Sequence, residues 1–137
     1  MQPVIQEEKT GCAIASAANI AGISYSEAKK VANSLGIYAE DSALWSQTTY
    51  ICRILNRLKY NVNNSQTPFT TWKALPDCAL LAIKWHMENN RPFWHWVVFV
   101  RKEGVEYVLD SKKSLKSNIR KDFGRIKPKW YMEVTSN

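Results

Sequence analysis

The sequence predicts an α+β fold in which an N-terminal helical layer packs on a C-terminal antiparallel sheet. Three observations carry that expectation. Apolar residues recur at helical spacing only as far as Leu58, β-branched and aromatic runs dominate from Ala79 onward, and two of those runs flank a short turn containing Gly104. The 137 residues are 45% apolar, enough to bury one core. No linker, repeat or low-complexity stretch divides them, so a single domain over residues 1–137 is expected.

Taken in order, Thr10-Gly11 gives a non-helical lead into a helix that starts at Cys12. Its small residues, Ala13, Ala15, Ser16, Ala17 and Ala18, let neighbouring backbones approach closely, so it reads as buried. Ser24-Tyr25-Ser26-Glu27 is a capping box opening a second helix, with Ala28, Val31, Ala32 and Leu35 on its inner face and Gly36 as its stop. Asp41-Ser42 caps a third, whose core stripe is Leu44, Trp45, Thr48, Ile51, Cys52, Leu55 and Leu58. Tyr60-Asn61-Val62 is a short strand, followed by a polar loop through Pro68. Buried strands are expected at 79–85, 94–100, 105–110 and 129–134, with a polar turn over 85–90. Trp94 and Trp96 flank His95 and belong, by alternation, to the opposite face, where core packing accounts for them.

The chemistry gathers around Cys12. A thiol attacks carbonyl carbon as thiolate, which a helix N-terminus and a neighbouring imidazolium both favour. By itself Cys12 reads as an inert core cysteine, and only its partners point to chemistry. Gln6, six positions upstream, supplies an NH2 that could join the Cys12 backbone N–H in stabilising an oxyanion, although alone it reads as a solvated side chain. His95 interrupts a strand that otherwise favours β-branched and aromatic residues.

Asp110 ends the next strand. A four-residue loop, Arg101-Lys102-Glu103-Gly104, places His95 directly opposite Asp110, with Cβ atoms roughly 4.5–5.5 Å apart. A two-residue loop at Glu103-Gly104 leaves them diagonal on the same face, and a three-residue loop separates them. A structural His–Asp pair, or Asp110 as a turn residue, fits as well. The conjunction of nucleophile, base, orienting acid and oxyanion donor points to a cysteine hydrolase. His86, in the polar turn, is a weaker catalytic candidate because no matching acid follows it. Glu40 and Asp41 are candidates to border a substrate groove, with helix capping the simpler role for Asp41.

The segment from Gln6 to Ala17, the continuation Ala21-Gly22-Ile23-Ser24-Tyr25-Ser26-Glu27-Ala28, and the stretches His95-Trp96-Val97-Val98 and Tyr107-Val108-Leu109-Asp110 resemble the bacteriocin-processing (double-glycine) peptidase family. These are compact papain-like enzymes, and the resemblance spans most of the chain. It implies a papain-like fold with Cys12 as nucleophile, His95 as general base and acid, Asp110 as orienting acid and Gln6 as oxyanion donor. Two positions depart from the family pattern: Ala13 stands where members usually carry glycine, and Ser111 where they usually carry proline. Transporter-fused members carry membrane and ATPase domains. This chain carries neither, so it is expected to be free-standing or a fragment of something larger.

Three cysteines without a disulfide pattern favour a reducing compartment, the cytoplasm of the producer or of a target cell. Cys52 and Cys78 read as structural. No metal-ligand spacing occurs, no cofactor is implied, and neither a signal peptide nor a membrane-spanning stretch is evident.

Of nineteen basic and twelve acidic residues, eight basic and one acidic (Asp122) lie between Lys112 and Lys129, leaving eleven of each elsewhere. The whole net charge of +7 therefore sits in that segment. It reads either as a solvated rim or as a face for nucleic acid, an anionic membrane surface or an acidic protein such as an inhibitor or immunity protein. No nucleic-acid-binding signature accompanies it.

The function expected is a cysteine peptidase (thiol protease) acting on a peptide or protein through a thioester acyl-enzyme, in the setting of a bacterial effector or toxin domain. The same residues would also serve a glutamine or asparagine deamidase or a transglutaminase-like enzyme. A third reading is a catalytically silent protein-binding module.

Overall fold

A computed structural model describes residues 3–7 and 10–136, with only the backbone described at Ser42 and Trp45. Glu8 and Lys9 in the resembling segment, and Trp45 in the expected core stripe, thus lie outside the described residues or side chains. Among the described residues the architecture is α+β, with three α-helices and an antiparallel sheet.

Helix α1 spans Cys12–Ala21 and is capped by Gly11 without a side-chain bond. Every residue from Cys12 to Asn19 is buried, which its alanines and serine permit. Gly22 ends it in the left-handed conformation (φ 69°), where a glycine carries no Cβ penalty. Helix α2, Tyr25–Ser34, opens on the expected capping box: Glu27 N–H donates to Ser24 Oγ (3.1 Å) and Ser24 N–H to Glu27 Oε1 (3.3 Å). It closes on a Schellman motif, with Ile37 N–H on Ala32 O (2.9 Å) and Gly36 N–H on Asn33 O (3.0 Å).

The expected third helix is instead two elements. Asp41 caps a single 3-10 turn at Ser42–Trp45 through Ala43 N–H (3.0 Å), and α3 begins afresh at Thr49–Arg57. The carbonyl of Leu44, which a continuing helix would use internally, accepts the Trp96 indole N–H instead (3.1 Å). Capping thus accounts for Asp41, as the simpler reading had it.

Among the described residues seven strands follow: β1 Tyr60–Val62, β2 Thr67–Pro68, β3 Cys78–Glu88, β4 Arg91–Lys102, β5 Val105–Leu109, β6 Ile119–Arg120 and β7 Trp130–Ser136. Their order is β1-β7-β3-β4-β5-β6, with β2 also paired to β7. The expected polar turn at 85–90 shrinks to Asn89-Asn90, both with positive φ (51° and 64°), because β3 runs on to Glu88. A register shift between Ile83 and His86 marks a bulge, and within it Lys84 takes φ 53°.

The sheet is covered on both faces. Leu80, Ala82, Trp94, Trp96, Val98 and Met132 pack with the helices. Trp94, Trp96 and Trp130 form an edge-to-face trio with centroids 4.9–5.6 Å apart, so packing accounts for the tryptophans beside His95. On the other face Leu81, Ile83, Val97, Phe99 and Val108 lie beneath Leu75 and Ile126, with Phe69, Trp72 and Phe123 packed alongside. Arg101 ties that cover down, donating to the carbonyls of Leu75 (2.7 Å) and Trp72 (3.1 Å) and to Glu106 (2.7 Å). This second core was not anticipated, because it is built from short loop segments without periodicity.

Candidate active site

The β4–β5 hairpin decides whether His95 and Asp110 meet. Val98 pairs with Leu109 and Lys102 with Val105, leaving the two-residue loop Glu103-Gly104, both with positive φ (53° and 78°). That is the primed turn whose twist suits a tight hairpin. The register puts His95 and Asp110 on the same face, offset diagonally, and His95 Nε2 lies 2.7 Å from Asp110 Oδ1.

Cys12 comes from the other layer. Ser16 Oγ donates to Trp96 O (3.4 Å), tying α1 to β4 one residue from His95. Cys12 lies close enough to the His95 ring to act, with Asp110, on its pKa. With Nε2 engaged by Asp110, Nδ1 is the nitrogen left to serve the sulfur. Burial alone would lower the His95 pKa, but Asp110 and Cys12 outweigh it and hold the imidazole up to about 9.

Asp110 is 1% exposed. Burial would raise its pKa, yet His95, the Lys112 backbone N–H (3.1 Å to Oδ1) and Arg120 (Nη1 3.1 Å from Oδ2) together lower it. Its backbone is held on both sides by Asn118, whose Nδ2 donates to Asp110 O (2.7 Å) and whose carbonyl accepts Asp110 N–H (2.9 Å). Cys12 is also 1% exposed, whereas the His95 side chain keeps 14%. Of the three, His95 presents the accessible edge.

Gln6 is buried and doubly fixed to Ser111: its N–H donates to the Ser111 carbonyl (3.0 Å), and Ser111 Oγ donates to Gln6 Oε1 (2.7 Å). The second bond sets which way round the amide lies, with its oxygen on the serine. Proline at 111 would have no hydroxyl to make this contact.

All four sequence candidates are thus placed in a connected arrangement: Gln6 to Ser111, Ser111 next to Asp110, Asp110 to His95, and His95 to Cys12. His86 lies elsewhere on β3, donating Nδ1–H to the Lys84 carbonyl (2.9 Å) beside Glu88 (3.6 Å). Sequence reasoning missed Ser111, Asn118 and Arg120 as supports. Arg120 had been grouped with the basic rim, but it turns inward between Asp110 and Asp122 (2.7 Å). Only the β5–β6 pairing, Val108 to Arg120, reveals that.

Cys12, Cys52 and Cys78 are all free thiols. Burial raises the Cys52 pKa and pushes Cys78 up to about 11. Among the described residues no His, Cys, Asp and Glu group could hold a metal ion, and no helix is long and apolar enough to cross a membrane. No protein-family model, curated protein or solved structure matches the chain.

Proposed function

We propose that the chain is a papain-like cysteine peptidase of one domain, with Cys12, His95, Asp110 and Gln6 as its working residues. The observation that carries the reading is that His95 Nε2 lies 2.7 Å from the buried Asp110 carboxylate, with Cys12 close enough to help raise the imidazole pKa.

In the first step the Cys12 sulfur attacks a peptide carbonyl, and the S–C bond forms as the carbonyl π pair moves onto oxygen. Gln6 and the Cys12 backbone N–H donate to that oxyanion. As it collapses the C–N bond breaks, and imidazolium His95 hands its proton to the leaving amine. In the second step neutral His95 takes a proton from water, whose oxygen attacks the thioester. The S–C bond then breaks, releasing the acid and restoring the sulfur–imidazolium pair. Asp110 keeps the ring oriented and stabilises its charge throughout.

The same acyl-enzyme forms from a glutamine or asparagine side chain, so product analysis must separate peptidase from deamidase. Wild type and Cys12→Ala would be incubated with a mixed peptide library and the products weighed. Shorter peptides produced by wild type alone support the peptidase. Unshortened peptides one dalton heavier, with ammonia released, assign the triad to deamidation. Turnover no different from Cys12→Ala rejects both.

Ser111→Ala is expected to lower kcat with KM little changed, and by less than Gln6→Ala, which removes the donor itself at a cost of about 10²–10³-fold in kcat. Equal kcat for Ser111→Ala and wild type would show that the serine does not position Gln6.

A further inference from the structure

Behind Asp110, on the face away from the helices, lies a second feature that the proposed chemistry does not use. A cavity of about 500 Å³ opens there, lined by Lys84, Arg120, Arg125, Lys127 and Lys129 around an apolar wall that includes Ile83. Its size is that of a small-molecule site. Among the described residues no carboxylate lines it. Arg120, on its wall, is paired with Asp110 and Asp122.

Two details suggest that the cations are gathered there by design of the backbone. Lys84 sits in the β3 bulge with positive φ (53°), a conformation disfavoured for a residue with a side chain, and His86 braces it by donating to its carbonyl. Its ammonium is also crowded by like charge: partial burial, then Lys112 and Arg120, lower the Lys84 pKa against the opposing pull of Asp110. Cations packed on one another in the free protein gain most from a ligand carrying several negative groups.

We propose that this cavity binds a small polyanion, two or more adjacent phosphate or carboxylate groups, beside the candidate active site. Its wall is shared with that site, since Ile83 pairs across the strand with His95 and Arg120 holds Asp110. Two sources supply such a ligand, a free polyphosphate compound or an acidic peptide segment.

Calorimetric titration of the wild-type chain with tripolyphosphate and, separately, with tetraglutamate distinguishes them. Two double variants accompany it. Arg125→Gln with Lys127→Gln removes two charges from the cavity, and Lys113→Gln with Lys116→Gln removes two from the surface outside it. Saturable tripolyphosphate binding, weakened at least about tenfold by the cavity pair and much less by the other, supports the proposal with a polyphosphate ligand. The same pattern for tetraglutamate alone supports it with an acidic peptide as the source. Equal weakening by both pairs would mean diffuse attraction to a basic surface and would overturn it, as would the absence of saturable binding by either probe.

Discussion

His95→Gln is expected to reduce turnover by about 10²–10⁴-fold, the range general acid–base catalysis supplies, without unfolding the protein. Glutamine preserves an amide for Asp110 but cannot carry a proton between sulfur and leaving amine. The loss should extend to simple alkylation. In wild type, Cys12 is expected to react with iodoacetamide at near-neutral pH faster than Cys52 and Cys78, whose burial raises their pKa values. In His95→Gln that advantage should disappear.

The alkaline limb of the wild-type rate profile follows from the imidazole. The imidazolium that protonates the leaving group persists up to about 9, so kcat/KM should fall as pH rises through that value. A fall near the ordinary histidine value of 6.5 would mean that Asp110 and Cys12 do not hold the ring as described.

Asp110→Ala is expected to be the most destabilising single change at the site, by about 3–5 kcal/mol, the cost of leaving buried charged partners unpaired. The lost carboxylate takes a partner from His95 and from the Lys112 N–H, and leaves Arg120 with Asp122 alone. Asp110→Asn, which keeps the shape and a carbonyl acceptor, should lose less stability, and urea denaturation of the two variants measures the difference.

The pair also sets a pH window. His95 titrates higher in the folded chain than its ordinary 6.5, so its contribution is full below 6.5 and is lost as pH rises through about 9. Asp110 titrates below its ordinary 3.8, so its contribution is present above 3.8 and is lost as pH falls through the lower folded value. The difference in melting temperature between wild type and His95→Gln should therefore be widest between those two ordinary values and should narrow above pH 9.

Much of this was legible in the residues because local rules determine it. Ser24 and Glu27 announce their helix reciprocally, Gly36 ends it, and Gly104 marks the hairpin that brings His95 and Asp110 to one face. What local rules leave open is the competition between partners distant in sequence. Leu44 looked helical until the Trp96 indole took its carbonyl, and Arg120 looked like surface until β6 carried it to Asp110. Ser111 read as a missing proline rather than a hydroxyl aimed at Gln6, a residue 105 positions away. The site's supports are such long-range bonds, whereas Cys12 starts a helix and Asp110 directly follows a strand, places where spacing alone is informative.

The most direct test of the central claim, that Cys12 and His95 form one coupled pair, is the NMR titration of the histidine side chains in wild type and in Cys12→Ala. With only two histidines, His86→Gln assigns the signals. His95 should titrate near 9 in wild type and distinctly lower once the sulfur is gone, Asp110 alone then opposing burial. An unchanged His95 titration in Cys12→Ala would contradict that coupling, leaving a structural His–Asp pair beside a core cysteine.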